Sequence, residues 1–445
     1  MGKLFGTDGV RGVANRDLTP ELAFKLGRAG TATLAKNIKS PTVVIGKDTR
    51  ISGDMLEAAM AAGICSVGGN AVLVGVVPTP AVAYLTRTFG ADAGVMISAS
   101  HNPVEDNGIK FFFSDGFKLP DQVEASIEAM IAADDINGRP TGGEVGRIFH
   151  DQKAHQKYTD YLVSLVQGRF EGIKIVVDTA NGSASTIAPA VYSALGADVV
   201  TVCSEPDGCN INDFCGSTHP EVIQKAVLEH GADIGFTHDG DADRVLACDH
   251  LGQLVDGDQI LAICGLEMIK RNQLPHNTIV ATVMSNLGLD LAFKKVGGKV
   301  IRTNVGDRYV LEEMRKQGLI LGGEQSGHVV FLDHNTTGDG IITALKLLTV
   351  LRDSGEALHE LAKQMIKFPQ SLVNIQVTNK EAFKENRKIA EAIAEIEMKL
   401  GDHGRILVRP SGTEPKIRIM VECDDHGELK RIMDRMTDLV RSELS

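Results

Sequence analysis

Short runs of β-branched and other apolar residues recur along this chain, each followed by a loop rich in glycine or aspartate and then by a helical segment. Residues 42–45, 94–97, 173–177 and 234–237 are four such runs. Repeated strand–loop–helix units predict α/β layers built on parallel or mixed sheets. Ligands of such layers bind at the loops that follow the carboxyl ends of the strands. We therefore expect the functional residues of this chain in these loops.

The last part of the chain has a different pattern. A strand at 372–377 is followed by a long charged helix at 380–400, strands at 405–408 and 417–421, and a final amphipathic helix. This order predicts a small α+β module. A chain of 445 residues suggests about three domains from length alone, and the separate module makes four the better prediction. We place the domains at residues 1–150, 151–252, 253–368 and 369–445.

The charge balance limits the class of partner. The chain has 46 Lys and Arg against 58 Asp and Glu, a formal charge of −12, and contains no basic block. Nucleic-acid binding depends on basic side chains that neutralise phosphates, so we expect no nucleic-acid partner. We find no apolar run of about 18 residues and no apolar signal segment, which predicts a cytoplasmic protein without a membrane partner. Basic residues beside glycines would suit a small anionic ligand.

Seven cysteines are present, and three of them, Cys203, Cys209 and Cys215, are spaced six residues apart. Zinc sites in proteins usually contain CxxC or HxxxH pairs, and neither accompanies these cysteines. Reduced thiols are therefore a better prediction than a zinc site.

The loop Ser98-Ala99-Ser100-His101-Asn102-Pro103 follows an apolar strand. A serine needs activation to act as a nucleophile, and His101 is adjacent to Ser100. The same residue types also favour turns, so the loop alone leaves a structural role open. A serine hydrolase is disfavoured because the loop lacks the GxSxG pattern.

Three aspartates, Asp239, Asp241 and Asp243, follow another apolar run. In an extended segment, residues at i, i+2 and i+4 project to one side, so we expect the three carboxylates to converge. Converging carboxylates need a cation, and oxygen ligands select Mg²⁺ or Ca²⁺. The alternative is a solvated acidic turn. The segment does not match a calcium-binding EF-hand loop.

Three further loops carry polar residues suited to a sugar phosphate. The segment 409–415 joins two strands and combines Arg409, Ser411 and Thr413 around a glycine, a set that can hold a phosphate or form a simple hairpin turn. Residues 322–328 place Glu324, Ser326 and neighbouring polar groups where sugar hydroxyls could be bound, unless the loop is merely a flexible glycine loop. The loop 5–12 contains a single arginine and matches no nucleotide-binding motif.

Taken together, these loops resemble the α-D-phosphohexomutase superfamily over essentially the whole chain. The motifs stand in the family's order: FGTDGVRG at 5–12, ISASHNP at 97–103, DGDADR at 239–244, GEQSGH at 323–328 and RPSGTEPKIR at 409–418. Within the superfamily, GEQSGH, CGSTHPE at 215–221 and TNVGDRYV at 303–310 are similar to the bacterial phosphoglucosamine mutases. The resemblance implies four domains around a central cleft: three related α/β mixed-sheet domains and a smaller C-terminal α+β phosphate-binding domain.

The resemblance also implies a role for each motif residue. Ser100 would carry a phosphoryl group, and one Mg²⁺ ion per chain would be held by Asp239, Asp241, Asp243 and an oxygen of that phosphoserine. The substrate would be bound by a set spread over three motifs: Arg11, Glu324, Ser326, Arg409, Ser411, Gly412, Thr413 and Arg418. The acid–base candidates are His101, Lys110, His328 and Arg11, and geometry must decide among them.

The implied reaction interconverts glucosamine 6-phosphate and glucosamine 1-phosphate through a 1,6-bisphosphate. It would supply the synthesis of UDP-N-acetylglucosamine and of cell-wall precursors. Glucose 1,6-bisphosphate or glucosamine 1,6-bisphosphate would be the donor that first phosphorylates Ser100. The expected partners are a small hexosamine phosphate and, from the resemblance, a second copy of the chain in a homodimer.

Three alternatives stay open at this point. The first is a mutase of the same superfamily that acts on glucose or mannose phosphates. The second is a non-catalytic sugar-phosphate sensor, which would not need a phosphorylatable Ser100. The third is a Mg²⁺-dependent phosphatase, which would release inorganic phosphate steadily.

Overall fold

The computed structural model describes residues 4–6, 8–133, 139–411 and 415–444. The chain forms two compact units. The first contains Met1–Val283 and Ile301–Lys363, and the second contains Met284–Val300 and Gln364–Ser445. No helix in the described ranges is both long and apolar enough to cross a membrane.

The first sheet of the first unit has six strands: β1 (Val10–Val13), β2 (Thr42–Lys47), β3 (Asn70–Val76), β4 (Ala93–Ile97), β5 (Asp106–Phe113) and β6 (Ile148–His150). Their order is β1-β5-β4-β2-β3-β6. Strands β4, β2, β3 and β6 are parallel, and β5 is antiparallel to both β4 and β1. Every residue of β4 is buried, as expected for a strand in the middle of a covered sheet.

Four helices belong to this part of the chain: α1 (Pro20–Leu34), α2 (Ser52–Cys65), α3 (Thr79–Thr88) and α4 (Asp121–Ala133). Helix α1 starts where the sequence favours it, because Thr19 accepts a hydrogen bond from the Leu22 amide and proline occupies the first helical position. Helices α1 and α4 bury Leu26, Ile127 and Ile131 in the apolar core of this sheet. This packing fixes the loops at the carboxyl ends of β2 and β4.

The second sheet has five strands: β7 (Lys174–Asp178), β8 (Asp198–Val202), β9 (Ile234–His238), β10 (Val245–Asp249) and β11 (Leu254–Val255). Its helices are α5 (Ala154–Ser164), α6 (Ala184–Ala194) and α7 (Glu221–His230). The order is β11-β10-β9-β7-β8, with β9, β7 and β8 parallel and β10 antiparallel to its neighbours. Because β9 and β10 are antiparallel and consecutive, a tight turn joins them.

The third sheet contains β12 (Thr278–Thr282), β13 (Lys299–Thr303), β14 (Leu321–Gly323) and β15 (Val329–Phe331), in the order β13-β12-β14-β15. The helices here are α8 (Gly257–Lys270), α9 (Leu287–Lys295), α10 (Asp307–Gln317), α11 (Gly340–Ser354) and α12 (Leu358–Ala362). Asp256 and Gln259 form a capping box at the start of α8, and Asp339 caps α11. Helix α9 lies in the second compact unit.

The second unit is completed by β16 (Gln370–Gln376), β17 (Gly404–Pro410), β18 (Lys416–Cys423), α13 (Arg387–Leu400) and α14 (His426–Leu444). The three strands are antiparallel in the order β16-β18-β17. Alternate residues of β18 such as Ile417 and Ile419 pack with apolar residues of α13 and α14.

The single helix predicted at 380–400 is wrong in one respect. Residues Lys380–Glu385 form a short 3₁₀ helix, and α13 begins only after Asn386. The Asn386 side chain accepts a hydrogen bond from the Ile389 amide, so it caps a new helix and ends the preceding one. The predicted fold class is confirmed, since three mixed sheets carry helices and a small antiparallel module ends the chain.

Candidate active site

Ser100 lies in the loop after β4, and its backbone has a left-handed φ of 54°. Its hydroxyl donates a hydrogen bond to Asp239 Oδ2 at 2.5 Å, and His101 Nδ1 lies 3.3 Å from the same oxygen. The residue is 1% exposed. A non-glycine residue in this backbone region is uncommon and points to an imposed geometry. The loop therefore directs the serine oxygen at an aspartate from the second sheet.

Two side chains hold this loop by its carbonyl oxygens. Arg50 Nη2 donates to Ser100 O at 3.2 Å and to Asn102 O at 2.6 Å. Asn212 Nδ2 donates to the same two oxygens, at 2.9 Å each. Arg50 itself is buried and forms an ion pair with Asp48. The position of Ser100 thus depends on Arg50 in the loop after β2 and on Asn212 in the segment between β8 and α7.

Ser98 is the other serine in this loop, and its hydroxyl has a different role. It donates to Asp48 Oδ2 at 2.6 Å and accepts a hydrogen bond from the Ser100 amide at 2.9 Å. Both contacts brace the backbone of the loop. Ser98 is fully buried and its hydroxyl bonds to Asp48, whereas the Ser100 hydroxyl bonds to Asp239 of the aspartate cluster.

Asp239, Asp241 and Asp243 do converge: one carboxylate oxygen of each lies within 4.8 Å of the others. The expected extended segment is wrong, however, because these residues form the tight turn between β9 and β10. Ala242 has a left-handed φ of 53°, and the turn brings the carboxylates together. Gly240 is required by the close approach of the Ser100 loop, since a Cβ there would lie 2.7 Å from Ser100 O.

The cluster fits a hard divalent cation. Asp241 Oδ1 and Asp243 Oδ1 are buried and have no hydrogen-bond partner among the described residues. Buried acceptors of this kind are costly unless another group binds them. Burial, followed by the charges of Asp243 and Asp241, raises the pKa of Asp239 well above its usual range. Three carboxylates, two of which have an oxygen that accepts no hydrogen bond from the described residues, suit Mg²⁺. This ion binds oxygen ligands at about 2.1 Å.

Lys110, on β5, compensates part of this negative charge. Its Nζ lies 2.7 Å from Asp241 Oδ2, and Thr79 Oγ1 donates to the same oxygen at 2.5 Å. Burial acts to lower the pKa of Lys110, but the charges of Asp241, Asp8 and Asp243 outweigh it and raise the pKa. Lys110 is therefore a charged ammonium near neutral pH, which makes it a proton donor rather than a base.

Lys110 also lies next to a second group of charged side chains, through an ion pair with Asp8. Asp8 forms ion pairs with Arg11 and with Lys118, whose Nζ lies 2.7 Å from Asp8 Oδ1. Lys118 also contacts Asp307 Oδ2 at 2.6 Å. Arg11 Nε is buried and has no hydrogen-bond partner in the described part of the chain. The predicted substrate residue Arg11 thus belongs to a partly buried ionic network that reaches α10.

His328 lies between two carboxylates. Its Nδ1 is 3.5 Å from Asp243 Oδ2, and its Nε2 is 3.5 Å from Asp307 Oδ2 and accepts a hydrogen bond from the Gly338 amide. His101 is in a different environment, because burial and then the charges of Arg244 and Arg11 lower its pKa. His101 is consequently a neutral imidazole at neutral pH, next to the Ser100 hydroxyl.

Glu324 and Ser326 lie in the loop between β14 and β15. Glu324 Oε1 accepts a hydrogen bond from the Gly306 amide at 3.1 Å, and Ser326 Oγ is buried without a partner among the described residues. Gly327 has a φ of 90°, and a Cβ there would lie 2.2 Å from Val245 O. The glycine therefore lets this loop pack directly on the first residue of β10, which follows the aspartate turn.

The predicted phosphate loop is in the second unit. Arg409 on β17 and Arg418 on β18 are directly opposite each other in the register. Directly opposite residues of an antiparallel pair lie on the same face of a sheet, so the two guanidinium groups can act together on one anion. Burial and then the charge of Arg418 lower the pKa of Arg409. Ser411 is 2% exposed, and its carbonyl accepts a hydrogen bond from Lys380. Gly412 and Thr413 lie outside the described residues.

Sequence reasoning missed several residues that hold this site. They are Asp8, Asp48, Arg50, Thr79, Lys118, Asn212 and Asp307. Asp8 and Asp307 stand inside motifs that were recognised, and Asp48 and Arg50 occupy the loop after β2, so position in a strand-end loop was the available signal. The other contacts join residues 100 or more positions apart and leave no local trace.

The arrangement can support transfer of a phosphoryl group. It offers a hydroxyl nucleophile, an oxygen-rich cation site beside it, a charged ammonium and a neutral imidazole. Phosphoryl transfer requires mainly positioning and neutralisation of charge, and these groups supply both.

Models of four protein-family domains match consecutive segments of the chain. They describe phosphoglucomutase/phosphomannomutase alpha/beta/alpha domain I at residues 2–137, domain II at 156–252, domain III at 256–368, and the C-terminal domain at 372–439. These segments follow the order of the four domains predicted from the sequence, whose exact boundaries stay a prediction.

Individual proteins are similar over the same length. A phosphoglucosamine mutase of Carboxydothermus hydrogenoformans is 58% identical over 441 residues, which cover 99% of both chains. A crystal structure of a phosphoglucomutase/phosphomannomutase family protein from Burkholderia thailandensis has a TM-score of 0.83 at 26% identity, covering 99% of this chain and 97% of that one. An Aspergillus fumigatus N-acetylphosphoglucosamine mutase, solved with GlcNAc-6P and magnesium, shares the fold at a TM-score of 0.70 and 17% identity, over 99% and 96% of the chains.

Proposed function

Because this chain belongs to the phosphoglucomutase/phosphomannomutase family, we propose that it interconverts glucosamine 6-phosphate and glucosamine 1-phosphate by way of phosphorylated Ser100. The observation that carries the mechanism is the contact between Ser100 Oγ and Asp239, in a carboxylate cluster with unpartnered oxygens. The amino-sugar substrate is supported by the full-length similarity to a protein named phosphoglucosamine mutase.

The cation site consists of Asp239, Asp241 and Asp243, with an oxygen of the phosphorylated Ser100 as a further ligand. Mg²⁺, when bound there, acts as a Lewis acid that withdraws charge from the phosphoryl oxygens. The chain orients these ligands before the ion arrives. Lys110 and Thr79 fix Asp241, and His328 faces Asp243.

The cycle has two transfers, and atoms balance in each. In the first, the bond between phosphorus and Ser100 Oγ breaks while a bond to the 1-hydroxyl of glucosamine 6-phosphate forms, giving the 1,6-bisphosphate. In the second, the phosphoryl group on the 6-oxygen moves to Ser100 Oγ and glucosamine 1-phosphate is released. Each transfer needs one group to accept a proton and one to donate it. His101 is a candidate acceptor because it is neutral, and Lys110 is a candidate donor because it is charged.

The rest of the substrate needs two other sets of residues. We assign Glu324 and Ser326 to the sugar hydroxyls, since Ser326 Oγ is buried and unpartnered among the described residues. We assign Arg409 and Arg418 to the phosphate that is not being transferred, because two guanidinium groups at opposed strand positions can donate charge-assisted hydrogen bonds to its oxygens. Ser411, Gly412 and Thr413 would complete that phosphate loop, and Arg11 would add a positive charge near Lys110.

The initial phosphate on Ser100 has to come from a donor. A hexose 1,6-bisphosphate, of glucose or of glucosamine, is chemically sufficient because it enters the cycle at its intermediate. Three further predictions concern the location, the oligomeric state and the metabolic role of the protein. We propose that it is cytoplasmic, that it forms a homodimer, and that its product is used in the synthesis of UDP-N-acetylglucosamine. Light scattering of the purified chain tests the dimer, and a monomer at micromolar concentration would remove that prediction.

A substrate panel with Mg²⁺ tests the function. The wild-type chain should convert glucosamine 6-phosphate to the 1-phosphate, followed by ³¹P NMR, faster than it converts glucose or mannose 6-phosphate. Ser100→Ala should be inactive, while Ser126→Ala, at an exposed serine of α4, should match wild type. Faster turnover of mannose phosphate would favour the alternative mutase, and steady release of inorganic phosphate would favour a phosphatase. Binding without turnover would indicate a sensor.

A further inference from the structure

A second cluster of reactive side chains lies outside the phosphoryl-transfer site. Cys203, Cys215 and Asp178 each place one ligand atom within 4.8 Å of the other two. Cys215 is fully buried, Cys203 is partly exposed, and both are free thiols. Cys209 lies between them in sequence but is exposed and takes no part in the cluster. The fold, rather than the regular spacing, thus selects two of the three cysteines.

The carboxylate of Asp178 already accepts three hydrogen bonds. Its Oδ1 accepts a hydrogen bond from the Ala180 amide, and its Oδ2 accepts from the Gly216 amide and from Thr237 Oγ1. Three donors on one carboxylate explain its burial without a bound ion. The group therefore offers only two sulfur atoms for further chemistry. Two adjacent thiols without a third soft ligand favour thiol–thiol chemistry over a zinc site.

The segment between the two cysteines connects them to the catalytic loop. Cys203 follows β8 directly, and its carbonyl accepts hydrogen bonds from the Asn181 amide at 2.6 Å and from Thr179 Oγ1 at 2.8 Å. Asn212, three residues before Cys215, donates to Ser100 O and to Asn102 O. A change at either end of the segment 203–215 can therefore be transmitted to Ser100 through a single side chain.

The backbone of this region is held in an uncommon conformation. Left-handed φ angles occur at five non-glycine residues: Ala180 (55°), Asn181 (48°), Cys203 (47°), Asn212 (58°) and Phe214 (48°). Outside glycine and asparagine such a conformation is disfavoured and persists only where the surroundings impose it. The left-handed residues therefore include Cys203 itself and two residues just before Cys215. A disulfide between the two cysteines would change backbone conformations that the surroundings impose.

We propose that Cys203 and Cys215 are a reversible oxidation site whose disulfide slows phosphoryl transfer at Ser100 by displacing Asn212. With hydrogen peroxide as oxidant, the Cys203 thiolate attacks one peroxide oxygen and becomes a sulfenic acid, while the other oxygen leaves as hydroxide and takes up the proton that the thiol had released to solvent, forming water. Cys215 sulfur then attacks the sulfenic sulfur, forms the S–S bond and releases a second water. Two electrons pass from the thiols to the peroxide, and a dithiol reductant restores both thiols.

Two properties favour Cys203 as the residue that is oxidised first. It is the partly exposed member of the pair, whereas Cys215 is buried. The hydrogen bond from the Cys215 thiol lowers the pKa of Cys203, while the same contact and burial raise the pKa of Cys215. A thiolate is the reactive form of cysteine, so peroxide should react first with Cys203. Cys215 should then attack the sulfenic acid and form the disulfide.

Mass spectrometry of the full-length chain tests the site without any reference to its activity. Cleavage before aspartate separates the three cysteines into peptides 198–206, 207–212 and 213–232. After limited peroxide, the first and third peptides should appear as one cross-linked species, about 2 Da lighter than their sum, which dithiothreitol releases. Sulfinic acid on Cys203 without a cross-link, or a cross-link that involves Cys209, would overturn the proposal.

The effect on catalysis rests on the proposed function and is measured separately. In wild type, loss of mutase rate should follow the cross-linked fraction, reach about tenfold or more at completion, and reverse with dithiothreitol. Cys203→Ser should keep its rate under the same peroxide, and Cys209→Ser should be inhibited like wild type. Full activity of the cross-linked chain would overturn the link to Ser100. A chain that cross-links but never had mutase activity would contradict the proposed function instead.

Discussion

Replacing Asn212 with alanine tests whether the Ser100 loop has to be held from outside the loop. Asn212 is nearly buried, and its amide donates to the carbonyl oxygens of Ser100 and Asn102 at 2.9 Å each. Arg50 donates to the same two oxygens and remains in the variant. The carbonyl groups therefore keep one donor each, and the variant should fold while the loop becomes less restrained.

The size of the effect follows from the two lost hydrogen bonds. A neutral hydrogen bond contributes about 1 kcal/mol net, so the loss amounts to about 2 kcal/mol. If the transition state needs the whole of this restraint, the rate falls about 30-fold, since each 1.36 kcal/mol is a factor of ten. Because Arg50 still holds the loop, we expect kcat to fall between about 5-fold and about 30-fold.

The assay is steady-state mutase turnover at saturating Mg²⁺ and substrate, with circular dichroism and thermal melting to verify the fold. Asn210→Ala is the matched control, because Asn210 is in the same segment and its side-chain amide bonds to Glu205 and Asp207 of that segment rather than to the Ser100 loop. The control should stay within about twofold of wild type. Equal rates for Asn212→Ala and Asn210→Ala would refute the view that Asn212 positions Ser100.

Three further predictions concern the ion and the anion sites. Asp241→Asn should raise the Mg²⁺ concentration for half-maximal rate at least about tenfold, with exposed Asp198→Asn unchanged, and an unaltered titration would remove Asp241 from the site. Burial and the neighbouring carboxylates raise the pKa of Asp239, so at pH values below that raised pKa Mg²⁺ must displace a proton from the site. Calorimetric Mg²⁺ affinity should therefore rise with pH and level off above that pKa, and a pH-independent affinity would contradict this. Arg409→Ala should raise KM about tenfold with little change in kcat, whereas Arg435→Ala, at an exposed ion pair with Glu395, should leave both unchanged. A fall in kcat alone would argue against a binding role for Arg409.

The sequence was a good guide to local structure. Strands such as β2, β4 and β9 were placed within a few residues, because short apolar runs bounded by glycine, proline or aspartate are strong signals. The exceptions arise where the conformation or capping of a single residue changes the outcome. Asn386 divides a predicted helix by capping its second part, and Ala242 adopts the left-handed conformation that turns the aspartate loop.

The site could be predicted only in part. Ser100 and the three aspartates are recognisable because each group follows a buried strand, where polar residues need a reason to occur. Several supports are not recognisable, because Thr79, Asn212 and Lys118 act through contacts with residues far away in the sequence. A long-range hydrogen bond depends on the packing of whole sheets, and no local pattern encodes it.

Intact mass followed by peptide mapping of freshly purified protein tests the central claim most directly. An addition of about 80 Da that maps to Ser100 is the predicted result, since a phosphoryl group on this serine is the intermediate of the proposed cycle. If the group has been lost during purification, incubation with glucose 1,6-bisphosphate should restore it. A Ser100 that stays unmodified after this treatment, in a chain that still interconverts the two sugar phosphates, would contradict the account.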